Sequence, residues 1–179
     1  MTLRMASIGH VAVGMALGRL EADPSSRGRL VTSMVLFSAL ALLPDADVVA
    51  FKLGIPYAAP WGHRGATHSL VFAAMVAAGA LGVARLLRLP PGRTSLLTLL
   101  AVGSHGLLDA LTDGGLGSAL LWPFSNDRLF APVRPLPVAP IGTRMFSSRG
   151  LYVVAVELIA FLPFWAYALW PRRRAALES

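Results

Sequence analysis

Cysteine is absent from this chain of 179 residues. Disulfides and thiolate metal ligands are therefore excluded, and any metal must be held by imidazole and carboxylate. Charge is scarce too. Only 14% of residues are charged against 55% hydrophobic, and the mean hydropathy is +0.63, beyond what is usual for a soluble domain. The composition is that of a membrane protein. No repeat, soluble module or disordered tail interrupts it, so residues 1–179 are expected to form a single membrane-embedded domain. Acidic residues are the rarer sign, 9 against 16 basic ones, which gives a net charge of +7. A basic excess often marks a nucleic-acid binder, but these arginines are spread between apolar stretches and form no stripe. No nucleic-acid partner is expected, and membrane topology explains the charge better.

Five apolar stretches are present, to be judged against the roughly 20 residues a helix needs to cross the hydrocarbon core. They run from Met5 to Leu20, Leu30 to Phe51, Thr67 to Leu87, Thr94 to Thr112 and Leu151 to Trp170. The fold expected is all-α: an integral membrane bundle of four to five apolar helices, with a long irregular loop before the last. The fifth stretch is the cleanest span. The first is short and contains His10, which suits an interfacial or re-entrant helix, and no convincing signal-peptide cleavage site follows it. The segment from Asp113 to Gly150 is too rich in glycine and proline for continuous regular structure. Small residues four apart, such as Gly14 with Gly18 and Ala74 with Ala78, are expected to let helix backbones pack closely.

The polar residues stand out against this background. Asp45 and Asp47 follow Pro44 at the end of the second stretch, while His63 and His68 lie before and at the start of the third. In an alternating topology the fourth stretch returns to that side carrying His105 and Asp109, four apart and so on one helical face. His10 lies near the beginning of the first stretch, again on that side. Seven candidate ligands from four helices thus converge at one membrane face.

Each grouping also has a plainer explanation. Asp45 and Asp47 suit a solvated helix terminus. The segment from His63 to Ser69 suits an interfacial loop with Thr67 or Ser69 as helix N-cap. His105 and Asp109 suit a buried hydrogen-bonded pair, although burying such groups in hydrocarbon is costly and usually functional. Together they point to a divalent metal site of imidazole and carboxylate, with zinc the leading choice over manganese or iron. The candidates exceed the needs of one tetrahedral ion, which leaves room for two. In a two-metal hydrolase the ions activate water and neutralise a phosphoryl or carbonyl oxygen. Arg64 is the leading anion clamp there, with Arg128, Arg134, Arg144 and Arg149 behind it. Asp47 or Asp109 is the candidate general base.

Four separated motifs carry a resemblance. Gly9-His10, Leu43-Pro44-Asp45-Ala46-Asp47, His63-Arg64-Gly65-Ala66-Thr67-His68-Ser69, and Ser104-His105 through Asp109 and Thr112 to Leu121-Trp122-Pro123 resemble the YdjM-like, LexA-regulated family of inner-membrane metal-dependent hydrolases. That family is distantly similar to the zinc-dependent phospholipase C and single-strand nuclease superfamily. The resemblance implies ligand roles for His10, Asp45, His63, His68, His105 and Asp109. Asp47 matches as well, but many relatives carry a histidine directly after it where this chain has Val48, which weakens the case for a second ion.

The expectation is a multi-pass inner-membrane, zinc-type phosphoesterase acting on a small-molecule or lipid phosphoester, with membrane lipids as its surroundings. Two other classes use the same residues: a metal-ion transport protein, and a structural metalloprotein whose ion only ties helices together. Nine of the 16 basic residues fall opposite the site and seven on its side. By the positive-inside rule this favours an extracytoplasmic site.

Overall fold

The computed structural model describes residues 8–22, 26–138 and 146–171. Seven α-helical segments are present among them: α1 Ile8–Glu21, α2 Arg27–Leu42, α3 Val49–Lys52, α4 Leu70–Leu86, α5 Pro91–Ala110, α6 Ser148–Ala160 and α7 Leu162–Leu169. No β-strand occurs among the described residues, only the isolated bridges Thr112 to Leu136 and Ser118 to Leu129. The all-helical architecture agrees with the sequence. Helix starts are chemically marked: Ser26, Ser69 and Ser147 each accept a backbone N–H from the first turn of the helix that follows.

The packing is that of a membrane bundle. The interior is built from small residues, among them Ala12, Ala16, Ala41, Ala73, Ala77 and Ala101, all buried. Large apolar side chains point outward instead, as do Val35 and Leu36 on α2, Met75 and Leu86 on α4, and Leu151 and Ile159 on α6. Small residues inside let backbones approach without any hydrophobic drive between helices, while the large ones meet lipid. Gly14 and Gly18 show this directly. A methyl group at Gly14 would stand 2.5 Å from Cα of Ser38, and one at Gly18 2.4 Å from the carbonyl oxygen of Ser33, so α1 lies backbone to backbone against α2.

By length and hydropathy, one helical run among the described residues suits a membrane span by itself: Arg27–Val48, 22 residues. The fifth stretch, which the sequence presents as the cleanest span, is broken. α6 and α7 meet at a bend of 66°. Pro163 lies in the first turn of α7, where it lacks an N–H and its ring clashes with the carbonyl four residues back, so the helix cannot run through.

Pro44 shapes the site in the same way. α2 stops at Leu42 and the chain tightens into a 3-10 turn over Leu43–Val48 with this proline at its start. With three residues per turn, Asp45 and Asp47 lie two thirds of a turn apart and face different directions. The loops at this end are tied into one layer. Arg128 donates to the carbonyls of His63 (3.0 Å), Tyr57 (3.2 Å) and Ala59 (2.8 Å), and Leu70 N–H donates to the Leu120 carbonyl. At the opposite end Glu21 pairs with Arg93 and accepts from Thr94, joining α1 to α5.

Candidate metal centre

All four histidines and the three predicted aspartates meet at the same end of the bundle. His68 is the hub. Its Nε2 lies 3.6 Å from Oδ1 of Asp45 and 3.3 Å from Oδ2 of Asp109. His105 Nε2 lies 3.2 Å and 3.7 Å from the same two oxygens. These four residues therefore offer two imidazole nitrogens and two carboxylate oxygens within 4.8 Å of one another. Ligand bonds of about 2.0–2.2 Å in a tetrahedron put ligand atoms about 3.3–3.6 Å apart, which these separations bracket.

The protons support the same assignment. Nδ1 of His105 lies 2.6 Å from the carbonyl oxygen of Ala41, an acceptor, so that nitrogen carries a hydrogen, and in the neutral imidazole, the form a metal would bind, Nε2 keeps its lone pair. Nδ1 of His68 lies 3.2 Å from Oδ2 of Asp47 and 3.1 Å from Oγ1 of Thr67, which itself donates to Asp47 at 2.7 Å. As neutral imidazoles, both would turn their Nε2 lone pairs into the four-residue cluster. Nε2 of His68 and Nε2 of His105 are buried there without a hydrogen bond, beside Oδ2 of Asp109, which is paired with Arg64; a bound cation would offset the cost of burying those nitrogens. The donor set fits a divalent ion.

Asp47 occupies a different place from the other aspartates. Its Oδ1 lies 2.7 Å from Nδ1 of His63, and its Oδ2 accepts from Arg64 N–H (3.1 Å) as well as Thr67. With His63 and His68 it forms a second grouping of metal-ligand type. Its members already contact one another, with Nδ1 of both His63 and His68 against the Asp47 carboxylate. An acidic partner behind a ligating histidine fixes its tautomer and raises its basicity.

Arg64 is buried and occupied. It adopts φ 60°, a left-handed conformation rare for residues with a side chain. Its N–H goes to Asp47, its carbonyl accepts Ala119 N–H, and its guanidinium turns back to Asp109, with Nη2 3.3 Å from Oδ1 and Nε 3.1 Å from Oδ2. Nη1 donates to Thr112 Oγ1 at 2.9 Å. This arginine orients Asp109 and offsets its charge. Of the weaker clamp candidates, Arg128 is spent on backbone carbonyls, and burial lowers its pKa below the usual arginine value. Arg134 lies over the Phe130 ring and Arg149 pairs with Asp113 at the surface, while Arg144 falls outside the described residues.

His10 stands over the cluster. Its ring stacks on His105 at 3.9 Å and 15°, and its Nε2 lies 3.7 Å from Oδ1 of Asp109. A cavity of about 30 Å³, room enough for a water, opens on this side between His10, Arg64, Asp109, Glu157, Phe161 and Leu136. Sequence reasoning missed Glu157. Its signal was a lone carboxylate inside the apolar sequence of α6. It also missed the second role of Thr67, whose hydroxyl braces Asp47, while the capping of α4 falls to Ser69.

An all-helical bundle with large apolar residues outside, small ones inside and a buried His/Asp cluster at one end is an integral membrane protein with a site able to hold a metal ion. The chain belongs to the YdjM inner membrane protein family, whose sequence model matches residues 5–175. It is similar to inner membrane protein YbcI of Escherichia coli (strain K12), with 39% identity over 172 residues, covering 93% of this chain and 98% of that one. No solved structure matches the chain. Family membership puts the protein in the inner membrane.

Proposed function

We propose that the protein is a membrane-embedded, zinc-type hydrolase of phosphoesters, with a lipid head group as the favoured substrate. The observation that supports this most is the edge pattern of the Asp45, His68, His105 and Asp109 donors, 3.2 to 3.7 Å, with both imidazole lone pairs turned inward. Zinc is favoured by two nitrogen and two oxygen donors at tetrahedral spacing. When bound, a divalent ion supplies a Lewis acid and an activated water at neutral pH.

The chain's own groups do the rest. Asp47 and Ala41 hold the two ligating imidazoles in the tautomer that leaves Nε2 available. Arg64 fixes Asp109 so that one carboxylate face meets the cluster and the other meets the cleft. The apolar wall of Leu108, Leu136 and Phe161 keeps bulk water from the cleft. Outward-facing apolar side chains beside it bring the mouth to the bilayer, where phosphoester head groups lie. The arginine distribution favours a mouth on the extracytoplasmic face.

One observation favours a rival. Four protein ligands around one ion describe a closed structural site, whereas catalytic zinc sites usually keep a position for water. The cleft against Asp109 favours the hydrolase. Purified protein is expected to carry stoichiometric metal and to cleave a phosphodiester or a phospholipid, and a His68→Ala, His105→Ala double variant to lose both. Retention of both by that variant would overturn the reading. Metal without turnover on any phosphoester would favour the structural ion, and metal flux into proteoliposomes without hydrolysis would favour transport.

A further inference from the structure

Glu157 is a carboxylate on α6, a helix whose neighbouring side chains Leu151, Tyr152, Leu158 and Ile159 are exposed towards lipid. An ionisable group in such a helix is costly and is retained for a purpose. Its Oε2 accepts the N–H of Gly9 at 3.1 Å, and the carboxylate also takes a backbone hydrogen bond from Ile8. These are the first two described residues of α1, and their amides are spent on this carboxylate from another helix. The acceptor comes from 148 residues away along the chain, so this hydrogen bond ties α1 to α6 at Gly9.

Gly9 makes the contact close. A methyl group on it would stand 2.5 Å from Cε2 of Phe161, at the bend between α6 and α7. The next residue is His10, stacked on His105 and 3.7 Å from Asp109. Glu157, Phe161, Gly9 and His10 all line the same cleft, and Nδ1 of His10 is buried there without a hydrogen bond.

We propose that Glu157 is the positioning residue that pins α1 at Gly9 to α6, and so holds His10 against His105 at the wall of the cleft. The broken C-terminal helix pair is thereby part of the site, as one wall of the cleft and as the anchor of the imidazole opposite. The assignment of that cleft as the substrate's place rests on the proposed hydrolase function. The pinning itself does not.

The test is modification of the metal-loaded, detergent-solubilised full chain by diethyl pyrocarbonate, with each histidine followed by peptide mass. In the wild type His10 is expected to react slowly. Glu157→Ala is expected to raise the rate at His10 by about tenfold, the shift in local opening that follows loss of a hydrogen bond to a charged group, and to leave His63, His68 and His105 protected. Glu157→Gln keeps an acceptor oxygen for the Gly9 N–H and is expected to react as wild type does. Equal rates at His10 in all three proteins would overturn the proposal, and so would acceleration at all four histidines together, which reports general loosening. Turnover of bis(p-nitrophenyl) phosphate by the wild type is measured separately. Its absence would count against the hydrolase function while the modification rates still decide the role of Glu157.

Discussion

The two sides of the His68 ring carry similar residues and have opposite characters. On the Nδ1 side, Asp47, Thr67, His63 and the Arg64 amide form a network in which each named contact has a donor and an acceptor. On the Nε2 side, Asp45, Asp109 and His105 bring carboxylate oxygens and imidazole nitrogens together at 3.2 to 3.7 Å, Arg64 pairs with Asp109, and Nε2 of both His68 and His105 lacks a hydrogen bond. A bound cation would satisfy those nitrogens, whereas donors already matched to acceptors need none. Residue types alone do not distinguish a proposed ligand set from its support. The hydrogen-bond partners favour the Nε2 side as the ligand set.

Substitutions on the two sides separate them. His105→Ala or His68→Ala removes one of four ligands and is expected to abolish stoichiometric zinc, measured by metal analysis after gel filtration. Asp47→Asn leaves the ligand atoms in place but removes the carboxylate behind His68. Its zinc affinity is expected to fall about 10–100-fold, with full loading recovered at excess metal. Equal losses in the two variants would erase the distinction drawn between the sides.

Gly106→Ala sharpens the comparison from the backbone. A methyl group there would stand 2.2 Å from the carbonyl oxygen of His68, so α5 and the His68 turn must separate. Overpacking of this kind costs roughly 1–3 kcal/mol. Thermal unfolding in detergent is expected at a lower temperature, with weaker zinc binding because His68 and His105 move apart together. The smallest effect belongs to the opposite end of the bundle. Arg93→Ala removes a half-exposed partner of Glu21 and is expected to change stability by about 0–1 kcal/mol and zinc binding not at all.

Much of this was legible in the sequence. Helix periods, the four-residue spacing of His105 and Asp109, and the placement of Asp45 and Asp47 after Pro44 suffice to predict a His/Asp cluster at one end of a bundle. Gly14 and Gly18 announce the close contact of α1 with α2. The placement of Asp45 and Asp47 on different sides of His68 was not legible, because it depends on the 3-10 turn that carries them. Arg64 reads as an anion clamp by its position beside the histidines, and it does line the cleft; that its guanidinium also pairs with Asp109, and that its φ is 60°, composition does not encode. The break in the last helix had a visible cause in Pro163, but the consequence, a bend of 66° that brings Phe161 against Gly9, needs the three-dimensional partner. Glu157 was hidden for the same reason: its partners lie at the far end of the chain.

X-ray absorption at the zinc edge of the purified, metal-loaded protein tests the central claim most directly. One ion per chain, bound by two imidazole nitrogens and two carboxylate oxygens, lost in His105→Ala and keeping both imidazoles in His63→Ala, is the result predicted. No bound ion, or a zinc shell that loses an imidazole in His63→Ala and keeps both in His105→Ala, would contradict the account.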